Sequence, residues 1–564
     1  MRRRYFLKQG LWSSVGILCA GRSPLKLLPD AQHSDHSSKS DSALTPYVDP
    51  LSIPQTMDIS PGQTVLVPMR EFYQKVHRDL NPSRMWGYSG MWPGPTIKVK
   101  RGCPFIMEWQ NRLPTRHFLP IDHTLHGAES ILPEVRTVVH LHGAQVKPES
   151  DGYPEAWYTS DGKRGPSYVG RAYQYPNGQR AATLWYHDHA IGINRLNIYA
   201  GLAGFYLITD EHEASLNLPN GPHDIPLMIQ DRKFTSDGSL LYPTAFQGTH
   251  PVWVQEFFGD VNCVNGKIAP FLEVEPRKYR FRLLNASNSR TYYLTLVSVD
   301  DDGKTSRKSV NAMPFYQIGT DGGLLRAPCE LYYLVISPGE RCDVVIDFTN
   351  DKGKQLAMVN DAPGAVRPDD SVPREVLLFK VTKPLLKRDD SVVPPILATI
   401  SPIKSTNAVT ERSLSLTESE RQTDGYTIRS LLAGKHWDDP ITERPRADSV
   451  EIWAFANATR DIHPMHLHLV QFQVVNRQPF DVNAYLGRHE IVYTGVPRAP
   501  EGNELYAWKD TVKTFPGTIT RIVAKFELPP GIEATSGTAF RYVWHCHILE
   551  HEDNEMMRPY EVLV

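Results

Sequence analysis

Val450-Glu451-Ile452-Trp453-Ala454-Phe455-Ala456-Asn457 reads as a β-strand closing on asparagine, and a short turn later the chain runs His463-Pro464-Met465-His466-Leu467-His468. Alternate residues of a strand face one side, so His466 and His468 project together. Two other segments end in the same way, Phe105 to Asn111 and Tyr279 to Asn285. The step that leads from Asn457 to His466-Leu467-His468 leads from Asn285 to Leu294-Thr295-Leu296, so one copy carries candidate ligands and the other apolar residues. A second echo pairs Leu184-Trp185-Tyr186-His187-Asp188-His189 with Tyr542-Val543-Trp544-His545-Cys546-His547, with Asp in one copy where the other has Cys. The echoes predict an all-β chain of three sandwich or barrel domains of antiparallel strands, near 46–212, 213–384 and 385–564. Val381-Thr382-Lys383-Pro384 closes the second, and the Ser-, Thr- and Pro-rich stretch from Ser391 to Arg421 reads as a connection rather than a core element.

Composition agrees with this architecture. The 564 residues are 41% hydrophobic and 10% aromatic, enough for several cores, and 45 Pro and 38 Gly favour short strands between turns over long helices. A net charge of −2 provides no field for holding nucleic acid or an anionic membrane surface, and neither partner is expected. Met1-Arg2-Arg3-Arg4-Tyr5-Phe6-Leu7-Lys8 before the apolar stretch Gly10 to Gly21 is a twin-arginine export pattern. That stretch is too short to span a bilayer. Residues 1–45 therefore read as signal and linker, and the chain as exported by the twin-arginine machinery to the periplasm or the exterior. Cysteines stand at 19, 103, 263, 329, 342 and 546; without Cys19, in the signal, the count is odd and one thiol stays unpaired. The neighbours of Cys546 mark it as that thiol, and whether Cys103, Cys263, Cys329 and Cys342 pair is open.

Histidines one residue apart occur at His140/His142, His187/His189, His466/His468 and His545/His547, where random placement of 21 histidines gives about 0.8 such pairs. On strands, each pair turns two imidazoles toward one centre, and the distribution predicts a metal cluster between the first and last domains. Cys546 lies inside the last pair, with His551 five residues on and Met556 ten residues on. A thiolate, imidazoles from His463 and His551 and a distant thioether are the donor set of blue copper; structural zinc would leave Met556 and the other pairs unexplained. His123 and His126 have the wrong spacing for the cluster and are read as buried, hydrogen-bonded histidines. His33 and His36 fall in the linker, and Asp321-Gly322-Gly323 reads as a turn.

Together with the four pairs, His463 to His468, Ser150-Asp151-Gly152-Tyr153-Pro154-Glu155-Ala156-Trp157, Glu273 to Arg282 and Gly319-Thr320-Asp321-Gly322-Gly323 closely resemble the multicopper oxidases, in particular the bacterial spore-coat laccase and bilirubin oxidase branch. The resemblance covers the chain after the signal and implies three cupredoxin-like domains and four copper ions, the middle domain holding none. It makes His463, Cys546, His551 and the weak axial Met556 the type 1 ligands, and His140 and His466 the type 2 ligands. His142, His187, His189, His468, His545 and His547 become those of the paired type 3 coppers. No ligand position is substituted. Asp151 and Glu552 stand where the resemblance puts acidic residues near the oxygen site, as proton relays or as groups that orient ligand imidazoles.

The resemblance implies single-electron oxidation of a small-molecule reductant near His463, passage of electrons through Cys546 to its chain neighbours His545 and His547, and reduction of dioxygen to water. A monomer is expected. Phenolic, aromatic or bilirubin-like reductants are favoured over Cu(I) or Mn(II), because only 12 Met occur, clustered nowhere but at Met556-Met557. A non-catalytic exported cupredoxin scaffold is the reading from another class, and a two-domain copper nitrite reductase is disfavoured by the third domain and the four pairs.

Overall fold

A computed structural model of the chain describes residues 44–244, 250–299, 313–361, 373–420, 427–532 and 535–564. The export pattern, Cys19, His33 and His36 lie outside them. Among the described residues no helix is long and apolar enough to cross a membrane.

Alternating apolar residues along short strands form sheets that pack in pairs. Strands between Thr56 and Thr209 make a five-stranded and a four-stranded sheet, those between Asp224 and Lys380 a seven- and a five-stranded sheet, and those between Thr410 and Leu563 a five- and a four-stranded sheet. Each pair closes on its own apolar core, around Val67, Met107 and Tyr206, around Leu283, Leu296 and Phe379, and around Trp453, Phe472 and Trp544.

Among the described residues five of the six sheets are mixed, not purely antiparallel as expected, and the four-stranded sheet of the last sandwich is antiparallel throughout. Phe105–Asn111 runs parallel to Thr64–Gln74, Lys278–Asn285 parallel to Asp224–Arg232, and Val450–Asn457 parallel to Thr410–Glu420. Parallel partners require a long crossover, and each copy supplies one. Thr410–Glu420 also corrects the reading of Ser391 to Arg421 as connection only, since its second half is a strand of the last sandwich. Serines and threonines there misled, because they occupy a ladder whose alternate residues Leu414 and Leu416 are buried.

The recurring asparagine has a shared structural duty. The N–H groups of Leu113, Ser287 and Thr459 donate to Oδ1 of Asn111, Asn285 and Asn457 at 3.0, 3.0 and 2.9 Å, an Asx turn that stops the strand. Asn285 Nδ2 donates to the carbonyls of Arg290 and Ile336 at 2.7 and 2.9 Å, and Asn457 Nδ2 to those of Asp461 and Thr514 at 2.8 and 2.9 Å. Each staples the loop between its strand and the next. In the middle copy that next strand puts Leu294 and Leu296 into the core. Asp321 and Gly322 turn the hairpin between Phe315–Thr320 and Gly323–Leu331, as read, with Gly323 at a φ of 105°. The five described cysteines are all unpaired.

Candidate metal centre

Antiparallel register brings the histidine pairs together. Val139–His142 lies against Ala182–Asp188 with His140 opposite His187, and His463–Leu467 lies against Ala539–Cys546 with His466 opposite His545. The two strand pairs face each other across the seam between the first and last sandwiches. The His140 and His468 rings stack with centroids 3.6 Å apart, and so do those of His142 and His466. All eight imidazoles of the pairs are buried. Burial pushes the His140, His142, His187, His189, His466, His468 and His547 rings far below the usual imidazole range, with neighbouring imidazoles adding to the shift, so these rings are neutral.

A neutral imidazole carries one N–H and one lone pair. The Nδ1–H groups of His140, His187, His466 and His545 donate to the main-chain carbonyls of Asp151, Asp188, Asp510 and Cys546 at 2.6, 2.8, 2.8 and 3.1 Å. His468 Nδ1–H donates to Asp151 Oδ2 at 2.7 Å. Their Nε2 lone pairs are thereby aimed inward. His468 Nε2 and His545 Nε2 lie 3.3 Å apart, as do His189 Nε2 and His545 Nε2, and His140 Nε2 and His466 Nε2 lie 3.5 Å apart. Lone pairs converging at such distances repel unless a cation sits among them. His142 is the reverse tautomer: its Nε2 faces Asp510 Oδ1 at 3.0 Å, leaving buried Nδ1 without a partner, and both ring nitrogens of His547 lack one. The donor chemistry fits metal ions.

Strand alternation sends Cys546 the other way. His545 faces the seam, while Trp544 and Cys546 face the last sandwich's core. There Cys546 Sγ lies 3.4 Å from His463 Nδ1 and 4.0 Å from His551 Nδ1, and the two imidazole nitrogens are 3.3 Å apart. Met556 is buried in the same cluster, its N–H donating to the His551 carbonyl at 2.9 Å and its carbonyl accepting from Cys546 N–H at 3.0 Å. Burial pushes the Cys546 thiol well above its usual range, so a thiolate here needs a bound cation in place of its proton. Thiolate and two imidazoles, with the buried Met556 bonded through its backbone to both Cys546 and His551, fit copper.

Two multicopper oxidase family models match the chain, over residues 406–564 and 130–213. The chain is 46% identical to a laccase of Bacillus stratosphericus, spanning 92% of this chain and 99% of that one, and 45% identical to a laccase of Bacillus subtilis (strain 168) over the same shares. This chain belongs to the multicopper oxidase family. The crystal structure of a multicopper oxidase from the hyperthermophile Aquifex aeolicus superposes with a TM-score of 0.72 at 28% identity, covering 92% of this chain and 99% of that one. The fold is accordingly cupredoxin-like and the protein a copper-dependent, laccase-like oxidoreductase that uses oxygen.

The oxidase's two predicted carboxylates lie against the imidazole cluster. Asp151 is buried, with Oδ2 on His468 and Oδ1 making no hydrogen bond but lying 3.6 Å from His140 Nδ1, and burial pushes its carboxyl well above the usual range. Glu552 Oε1 accepts from Asn194 Nδ2 at 2.6 Å and lies 3.5 Å from His189 Nε2, while its Oε2 lies 3.1 Å from His545 Nδ1. Sequence reasoning missed Asp510, Asn194 and Thr459. Asp510 touches His142 and is paired with buried Arg341; Thr459 Oγ1 lies 2.6 Å from Nε2 of His463, which is itself fully buried. The recurring Asn was the available signal for Thr459, since the residue two positions on is placed by it. His123 and His126 stay outside the cluster. His123 is exposed, not buried as expected, with Nδ1 on the Ala128 carbonyl at 2.8 Å, and His126 is half-buried between two carboxylates.

Proposed function

We propose that this oxidase takes single electrons from phenolic, aromatic or bilirubin-like reductants with four coppers, type 1 held by His463, Cys546, His551 and Met556, type 2 by His140 and His466, and the type 3 pair by His142, His187, His189, His468, His545 and His547. Bound copper supplies the one-electron redox chemistry that joins such a reductant to dioxygen. The observation that carries the reading is the position of Cys546, whose thiol faces His463 and His551 while its chain neighbour His545 belongs to the imidazole cluster. One peptide unit thus links the two groups. A reductant docks over Thr459, which covers the Nε2 edge of His463. Asp151 holds a proton at Oδ1, the oxygen that makes no other hydrogen bond, and Glu552 moves one at Oε2 beside His545. The protein works as a monomer after export by the twin-arginine route.

The scarcity of methionine, 12 in the chain, favours an organic reductant over a metal ion. Turnover of a phenol, bilirubin and Cu(I) by copper-loaded protein tests this, with Cys546→Ser as the control expected to be colourless and inactive. Faster oxidation of Cu(I) than of any organic compound would overturn the substrate assignment. Colourless, inert wild-type protein after copper loading would overturn the reading as a whole.

A further inference from the structure

We propose that His126, His436 and Glu555 form a second metal site, apart from the copper centre, for a divalent cation of the Zn2+ class that takes imidazole and carboxylate donors. His126 Nδ1 lies 3.9 Å from Glu555 Oε1, and His436 Nδ1 lies 3.7 Å from Glu555 Oε2. Both separations are too long for hydrogen bonds, so each imidazole faces its own oxygen of the Glu555 carboxylate without bonding to it. Ligands about 2.0–2.2 Å from a common ion stand about 3 to 4 Å apart, which is the spacing seen from each ring to the carboxylate. On the far edge of the His126 ring, Nε2 faces Asp438 Oδ2 at 3.4 Å, the outer carboxylate that typically fixes the tautomer of a ligating imidazole.

The site is built before any ion arrives. Buried Arg558 reaches under the loop that carries His436, donating to the carbonyls of His436, Trp437, Asp439 and Pro440. Asp439 Oδ2 accepts from His436 N–H at 2.8 Å, and Trp437 N–H donates to Glu555 Oε2 at 2.8 Å. Leu125 and Ala128, flanking His126, pack with Trp437 and Met557 in one apolar cluster, which ties the three ligand segments together. Glu555 holds a φ of 75°, a left-handed conformation that is uncommon for a non-glycine residue. Side-chain exposures of 12% for Glu555, 31% for His126 and 39% for His436 give a sheltered site that opens to solvent, so an ion can enter. Asp438, against His126 Nε2, and Asp439, bonded to the His436 N–H, add negative charge beside it, with Lys435 and buried Arg558 as neighbouring cations.

The proposal stands independently of which reductant the oxidase uses. Copper-loaded protein, dialysed free of excess metal, is titrated with Zn2+ by calorimetry alongside His126→Ala, His436→Ala and the double variant. Saturable uptake of one further equivalent is expected, weakened at least tenfold in each single variant and further in the double variant. Zinc-edge absorption should show two imidazoles in the wild type. Retention of the copper spectrum certifies that the variants are folded. Absence of saturable zinc binding by the wild type, or equal affinity in wild type and both variants, would overturn the site.

Discussion

Asp510 shows how much of the copper centre rests on side chains that never touch metal. Its Oδ1 accepts from His142 Nε2 at 3.0 Å, from Thr511 Oγ1 at 2.9 Å and from Arg341 Nη1 at 2.7 Å, and its main-chain oxygen fixes His466. Arg341 is fully buried, and its other carboxylate, Asp321, is 3.7 Å away. Removing one partner of a buried ion pair leaves an uncompensated charge, a loss of about 3–5 kcal/mol. Asp510→Ala is therefore expected to lower the unfolding free energy by that much, read as a lower urea midpoint at unchanged slope, and to reduce copper content as His142 loses its tautomer. A loss under about 1 kcal/mol would refute this account of the pair. Nothing near Asp510 in the chain announces the role, because His142 lies 368 residues away and only the fold joins them. The histidine pairs were legible for the opposite reason: projecting i and i+2 to one face takes only the strand itself.

At the scale of elements, the strand closing on asparagine serves two purposes with one construction. In the middle sandwich Asn285 staples a loop that leads into an apolar strand, and in the last sandwich Asn457 staples the loop that carries Thr459 to His463. With His463 Nδ1 facing Cys546, the Nε2–H donates to Thr459 Oγ1, whose own hydrogen goes to Asn457 Oδ1 at 2.9 Å. Asn285→Ala and Asn457→Ala each leave buried carbonyls without donors, a cost of about 2 kcal/mol. Only Asn457→Ala is expected also to shift or bleach the blue absorption band, since it alone loosens the ring of His463. Equal spectra in the two variants would show that the staple does not reach the copper. The repeat was visible in sequence as a strand and its stop. The parallel pairing of that strand was not, because a strand's pattern records which face is buried but not the direction of the neighbour. Thr410–Glu420 was missed likewise, its hydroxyl-rich surface face having hidden the alternation of Leu414 and Leu416.

Across the whole molecule, the imidazole cluster makes copper loading and the joining of the first and last sandwiches one problem. Arg195 pairs with Asp553 at 2.9 Å and Tyr542 OH donates to the Val146 carbonyl at 3.0 Å, so polar contacts flank the imidazole seam. Without copper, the seam holds buried neutral imidazoles whose lone pairs face one another. Burial holds the folded pKa of His140, His142, His187, His189, His466, His468 and His547 far below the unfolded value, and that of His551 beside Cys546 falls to about 3, whereas in the unfolded chain each titrates near 6.5. Above pH 6.5 neither state binds protons at these rings and stability is unaffected by them. As pH falls through 6.5 the unfolded chain takes up protons that the folded apoprotein refuses, so each ring removes up to about 1.4 kcal/mol of stability per pH unit. Copper binds the folded state and adds stability by mass action. Copper-stripped protein is thus expected to have a lower melting temperature than loaded protein at pH 7.5 and to lose further stability steeply between pH 6.5 and 5. Parallel thermal melts of the two forms across that range check both expectations, and a stripped form with a flat melting profile below pH 6.5 would show that its imidazoles reach water once the metal is gone.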